Sequence, residues 1–305
     1  MTRLGIQQLL RMSKDEQTRV VDLPRVLRGA AVGFALAVGL PLVARAQTDY
    51  YNTDRNRPIR IEDAYPTERY SFDAHLAPFR LERSTGGVYS WSVDPEIAYG
   101  MLPRTQLEVG LPLAYADLGG SRRRVGVAGL DVSVLYNLNA ETSRLPAFGL
   151  RATTLAPVGS LAPDNAYASL AGILTRTYTW ARIHVNGEYT LGPSSPGVTA
   201  PVLEPSTPRV DEGVGEVSRW LAGAAVDRTF PLRSILVTGE LYARQPIQPD
   251  EDVEWNVGAG MRYQVNPLYA LDGGAGKRLS GADRAWYVTF GVARVFAIRS
   301  LMPRH

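Results

Sequence analysis

From about residue 70 to residue 296 the chain alternates apolar and polar positions with a period of two. The clearest stretch is 254–265, EWNVGAGMRYQV. Trp255, Val257, Ala259, Met261, Tyr263 and Val265 fall on one face; Glu254, Asn256, Gly258, Gly260, Arg262 and Gln264 fall on the other. Successive side chains of a strand point to opposite sides, so this segment carries one apolar face and one polar, glycine-studded face. Aromatics sit near both ends of the apolar face with small or aliphatic residues between, the layout of a strand that crosses a bilayer.

About twelve such segments are predicted, at 70–81, 88–99, 105–115, 125–138, 147–158, 167–177, 181–191, 218–229, 234–243, 254–265, 268–279 and 286–296. The first is the least regular, and 167–177 has apolar residues on both faces. Proline-marked turns follow the second, eighth and tenth; long connections follow the third, fifth, seventh and ninth, with 192–216 the longest. Short turns at one end and long loops at the other predict an even-stranded, antiparallel up-and-down transmembrane β-barrel, all-β, with both termini on the turn side. The 139–146 connection is longer than that rule prefers.

Tryptophan placement supports a membrane barrel over a soluble two-sheet sandwich. Trp91, Trp220, Trp255 and Trp286 fall at the loop end of their strands and Trp180 at the turn end. With Tyr115, Tyr189 and Tyr263 they are the expected membrane-interface aromatics, since these rings bury an apolar body while a polar tip stays wet. A sandwich would instead bury tryptophan mid-strand.

The polar face places Glu108, Asp131, Arg151, Arg182, His184, Glu188, Asp227, Glu240, Arg262 and Arg278 in the lumen, with glycines 110, 129, 149, 223, 258 and 260. Such groups either tie neighbouring strands together as ion pairs or line a wet path for a solute. Their charges nearly cancel, so no ion selectivity follows. Other chemistry finds little material. The 305 residues contain no cysteine, which excludes disulfides and thiolate metal sites, and three histidines, His75, His184 and His305. A formal charge of +3 without a basic stripe argues against nucleic-acid binding. No phosphate loop, dinucleotide fingerprint, zinc helix or calcium loop is present. His184 with Asn186 and Glu188 invites an esterase reading, but no serine lies beside it on its own strand face. The expectation is a protein that is no enzyme, with no cofactor and no metal. Arg122, Arg123 and Arg124 are placed in a solvated outer loop.

The N-terminal region reads differently. Residues 28–46, RGAAVGFALAVGLPLVARA, combine arginines, a short apolar run and Ala44-Arg45-Ala46 as a small-x-small cleavage site. Residues 1–46 are thus expected to be a secretory signal, with an unusually long polar lead, cleaved after Ala46. Residues 47–68 are polar and without sustained periodicity, a periplasmic lead that tucks under or into the barrel. The barrel is assigned 69–298 and a short tail 299–305.

The segments IEDAYPTERYSFD, GGVYSWSVDPEIAYGMLPRTQLEVGLPLAY, GVAGLDVSVLYNLN and WYVTFGVARVF resemble the proteobacterial outer-membrane family labelled for the meta-pathway of phenol degradation. The resemblance implies an outer-membrane channel for aromatic or other hydrophobic compounds and brings no defined functional residues. Outer-membrane barrels often end on an aromatic residue, whereas here Phe296 is followed by AIRSLMPRH. The reading is a bacterial outer-membrane channel for passive uptake of small solutes, with membrane lipid and the solute as partners. Its rival is a closed structural or sensor barrel whose outer loops bind a partner.

Overall fold

The computed structural model describes residues 52–117, 123–194, 217–247, 251–281 and 284–302. The expected signal with its cleavage site, Arg122 and most of the 192–216 loop lie outside these residues.

Fourteen strand segments form one closed antiparallel sheet. They are β1 (Ser71–Arg83), β2 (Tyr89–Leu102), β3 (Thr105–Gly110), β4 (Leu113–Asp117), β5 (Arg123–Val127), β6 (Leu130–Asn137) and β7 (Ala147–Ala156). Then follow β8 (Tyr167–Thr177), β9 (Arg182–Leu191), β10 (Ser218–Phe230), β11 (Ile235–Pro246), β12 (Glu254–Asn266), β13 (Tyr269–Arg278) and β14 (Trp286–Ala297). Consecutive passes pair with one another, and β1 pairs with both β2 and β14, which closes the barrel. Full closure removes the unpaired edges that no bilayer could solvate.

The third and fourth passes, each expected as one strand, are broken. β3 and β4 both pair with β2, while β3 pairs with β6 and β4 with β5. The two breaks face each other: Pro112 has no N–H to give the ladder, its carbonyl takes the Ala128 N–H at 2.8 Å, and Gly129 has φ +146°. Counting each broken pair as one pass gives twelve strands. The loop expected after the third pass is mostly hairpin, because β4 and β5 pair out to Asp117 and Arg123. Arg123 and Arg124 therefore open a strand and are not loop residues, as had been expected. The irregularity of β1 is a bulge between His75 and Phe79, around Pro78.

Turn chemistry sets the other end. Asn266 Oδ1 accepts the Leu268 and Tyr269 N–H groups at 2.8 and 3.1 Å across Pro267. Pro231–Arg233 form a 3-10 turn ended by Ser234 at φ +52°. The long 138–146 connection is internally bonded, with Asn139 donating to the Pro146 carbonyl at 2.8 Å and accepting the Phe148 N–H at 3.1 Å.

The alternation of β12 holds throughout: Trp255, Val257, Met261, Tyr263 and Val265 are exposed, while Glu254, Asn256 and Arg262 are buried. Aromatics stack on the outer face around β14, β1 and β2, with Phe72 on Tyr99 at 4.3 Å and on Phe296 at 5.3 Å. Nearer the loops Trp91 stacks on Tyr115 at 5.7 Å. Trp180 and Trp255 project outward from opposite ends of the barrel wall, 56% and 48% exposed. Tyr189 and Trp220 are register partners across β9 and β10. After Phe296 the chain turns back, so that Met302 packs against the inward residues Val295 and Ala297.

Ala259 lies mid-strand on the exposed face of β12. Ala259→Arg is expected to lower stability in lipid vesicles by about 2–4 kcal/mol, the cost of an arginine near the bilayer midplane. Guanidinium unfolding followed by tryptophan fluorescence reads that loss.

Candidate functional site

The inner face of the barrel is ionic, and its charges meet in pairs. Arg182 and Asp227 are direct register partners on β9 and β10, joined at 2.9 and 2.8 Å. Arg262 and Asp272 do the same across β12 and β13 at 2.6 Å, and Arg244 and Glu254 across β11 and β12 at 2.8 Å. Arg278 meets Glu254 at 3.3 Å and Glu82 at 3.4 Å. Opposite charges placed directly across a ladder penalise a one-residue slip, so these pairs specify register as well as filling space.

Through this lining runs the chain's own N-terminal segment, residues 52–68. Its first part folds back on itself: the Thr53 N–H donates to the Asp63 carboxylate and the Asp63 N–H to the Thr53 carbonyl, both at 3.0 Å. Glu62 forms a fork with Arg151 of β7, at 3.0 and 2.5 Å. Asp63 lies 3.6 Å from Arg182. Glu240 of β11 accepts the Arg60 and Ile61 N–H groups at 2.8 and 2.9 Å. Arg262 contacts Asp54 at 3.0 Å and donates to the Asn52 carbonyl. Arg57, fully buried, lies against Asp54, His75, Glu96 and Asp272. Arg55 reaches Asp131 at 4.0 Å and Glu188 at 3.9 Å.

Apolar contacts and space complete the fit. Ile59 and Ile61 cluster with Leu221, Ala225 and Tyr242, and Ala64 with Leu135, Ala147 and Ile173. A Cβ on Gly260 would lie 2.7 Å from Pro58 Cβ, and one on Gly274 2.6 Å from the Pro58 carbonyl oxygen. A Cβ on Gly100 would meet the Glu68 carbonyl oxygen at 2.0 Å, where the segment passes into β1. With Thr289 donating to the Pro58 carbonyl at 3.3 Å, Thr175 receiving the Ala64 N–H at 2.9 Å and Gln106 the Thr67 N–H at 2.7 Å, each of the twelve passes touches this segment. The 138–146 connection also serves it: Glu141 accepts the Tyr65 hydroxyl at 3.2 Å and the Thr177 N–H at 2.7 Å. Partial burial pushes the Glu141 carboxyl up, but the Thr177, Tyr65 and Arg176 donors outweigh it and hold the group below its ordinary range.

The ten residues expected in the lumen fall as follows. Glu108 and Arg151 meet at 3.3 Å; Asp131 and Glu188 share Arg55; Arg182 and His184 share Asp227; Glu240 holds segment backbone; Arg262 and Arg278 sit in the pairs above. His184 Nε2 lies 2.8 Å from Asp227 and its Nδ1 3.0 Å from the Thr175 hydroxyl. That order resembles a hydrolase triad. All three side chains are fully buried, and the Thr175 oxygen already accepts the Ala64 N–H, so the arrangement anchors the segment. Left out of the sequence reading were Asp94 and Glu96, although they share the β2 face opposite Trp91, Val93 and Ile97. Arg57, Glu62 and Asp63 carried no periodic signal at all.

Toward the loop end a cavity of about 160 Å³ remains between the segment and the wall. Its lining includes Arg55, Ile59 and Arg60 of the segment and Arg80, Ser92, Asp94, Glu188, Tyr242 and Tyr287 of the wall.

No protein-family model matches the chain, and no curated protein matches it. Among solved structures, an outer-membrane channel from Pseudomonas putida F1 superposes with a TM-score of 0.51 at 12% identity, covering 77% of this chain and 98% of that one. The KdgM porin also superposes, with TM-score 0.45, 12% identity and coverage of 73% and 98%. So does the CymD monoaromatic hydrocarbon channel, with TM-score 0.41, 9% identity and coverage of 76% and 90%. At 12% identity the first likeness is one of fold, a closed antiparallel barrel of the outer-membrane type. The resemblance to the phenol-degradation family rests on the quoted sequence segments alone.

Proposed function

We propose that the protein is an outer-membrane channel for passive passage of small solutes, closed at rest by its own N-terminal segment. The observation that carries this reading is the segment itself. A barrel of about twelve strands is wider than side chains alone fill, and here a separate piece of chain occupies the bore, held by ion pairs and hydrogen bonds that water can replace. The lining favours polar solutes. For the aromatic or hydrophobic solutes that the sequence resemblance implies, the cavity offers the Tyr242 and Tyr287 rings as one wall. A closed structural or sensor barrel is the second reading, favoured by how completely the segment fills the bore.

Planar-bilayer recording separates the two. A chain beginning at Gln47 is expected to be nearly silent, and one lacking residues 47–68 to give discrete conductance steps. Silence from the shortened protein, with folding shown by heat-modifiable electrophoretic mobility, would overturn the channel reading.

A further inference from the structure

Most lumen charges among the described residues are paired; Glu240 instead holds segment backbone, and two further charges without an ion pair line the cavity. Asp94, facing inward from β2, makes no hydrogen bond or ion pair among the described residues, and its Oδ1 is buried. Arg60, on the segment, makes no ion pair among the described residues; its guanidinium donates to Asn56 Oδ1 at 3.0 Å. Both groups line the same cavity. Ser92 and Tyr242, 4% exposed each, bring hydroxyl-bearing side chains to the same lining. The other charges around it have partners: Arg55 has Asp131 and Glu188, Arg80 has Glu82 with Tyr287 beneath it, Glu96 has Arg57 and His75, Glu108 has Arg151, and Arg244 has Glu254.

An ion held away from bulk water without a counter-charge is costly, and a matching ligand charge removes that cost. One unpaired cation and one unpaired anion on a single small cavity call for a ligand that brings both signs. We propose that this cavity is a binding site for a small zwitterion carrying a carboxylate and an ammonium group, an α-amino acid in chemical class. Arg60 takes the carboxylate in a forked pair and Asp94 takes the ammonium. Ser92 and Tyr242 supply further hydrogen bonds. The volume is below the roughly 300–1,000 Å³ of pockets for drug-sized ligands, which limits the solute to a few heavy atoms. This assignment rests on the channel reading for its role, since the site lies on the loop side of the closure, where an entering solute would pause.

Titration calorimetry on the full chain from Gln47 in detergent micelles tests it with three matched probes: alanine, propionate and ethylammonium. Alanine is expected to bind at least tenfold more tightly than either singly charged analogue. Arg60→Gln is expected to erase its advantage over ethylammonium, and Asp94→Asn its advantage over propionate. Neither variant strands a charged partner, so circular dichroism should match the parent. Arg60→Lys, which keeps the charge, should retain part of the preference. Alanine binding no tighter than its analogues, or a preference unmoved by both variants, would overturn the site. The measurement requires no transport. If the shortened barrel conducts while the full chain shows no alanine preference, the site fails and the channel stands. If the shortened barrel is silent while the preference is present, the channel reading fails and the site stands.

Discussion

Glu62→Ala is expected to destabilise the folded protein by about 3 kcal/mol. Breaking a buried pair by removing one partner costs about 3–5 kcal/mol, because the remaining charge is left uncompensated. The lower end applies here, since Arg151 keeps Glu108 at 3.3 Å and the Ser133 hydroxyl at 2.6 Å. The larger effect is functional. Glu62 holds the segment to the wall through a two-bond fork with Arg151, and without it the segment should leave the bore more often, giving brief conductance bursts in planar bilayers. The triple variant Glu62→Leu/Glu108→Gln/Arg151→Met removes all three charges of this cluster together, so none is left uncompensated, and is expected to recover most of the stability. Denaturant titration reads the first effect and bilayer recording the second. Equal stability of parent and Glu62→Ala would mean that the pair is not formed inside the barrel.

Gly260→Val with Gly274→Val is expected to expel the segment while leaving the barrel folded. Pro58 presses on both positions so closely that an added Cβ would overlap its ring or its carbonyl. Overpacking of this kind costs about 1–3 kcal/mol at each site; releasing Pro58 removes the closest contact at both, and of the wall contacts that stay, the nearest is the rotatable Thr289 hydroxyl at 2.9 Å from the Gly274 position. Conductance should then appear at full chain length. Gly172→Val with Gly187→Val is the matched control. A Cβ at either position meets nothing within 4 Å, so that protein should remain as quiet as the parent. Conductance from the control and silence from the Gly260/Gly274 variant would reverse the assignment.

The barrel was legible because its strands answer to two environments that alternate residue by residue. β12 shows both faces without an exception among its larger side chains, and the tight turns at Pro103, Pro231 and Pro267 marked the ends. Where two environments do not describe a strand, the reading weakened. Ile173 in β8 is apolar and inward because it packs on Ala64, and Leu221 and Tyr242 are inward because they pack on Ile59 and Ile61. A third environment, another piece of chain, is invisible to a period-of-two argument. The breaks at Pro112 and Gly129 were likewise absorbed into continuous strands: alternation resumes in step after Pro112, whereas at Gly129 the buried positions pass from Ala128 to Ser133, Leu135 and Asn137, a one-residue change of phase.

For the lumen, alternation could nominate inward side chains but could not say what each one touches. Glu240 reads as one more acid on a polar face, yet it caps two backbone donors of the N-terminal segment. Arg57 and Glu62 sit in a stretch whose only sequence signal was the absence of periodicity. Their partners are supplied by the wall and not by their own neighbours. Gly260 was placed on the lumen face by alternation and Gly274 was not singled out; it is Pro58 of the segment that comes close to both.

The central claim is that residues 52–68 lie inside the barrel, and a single cysteine pair tests it most directly. An added Cβ at Gly149 lies 3.4 Å from the Ala64 Cβ, close to the usual Cβ separation of about 3.5–4.5 Å in disulfides. The chain has no cysteine of its own, so Ala64→Cys with Gly149→Cys leaves one possible intramolecular bond. Mild oxidation of the folded protein in detergent is expected to consume both thiols and to shift its electrophoretic mobility reversibly. Ala64→Cys with Gly172→Cys, on the opposite face of the wall, should keep both thiols. Two thiols remaining free in the folded Ala64/Gly149 variant after oxidation would contradict the account.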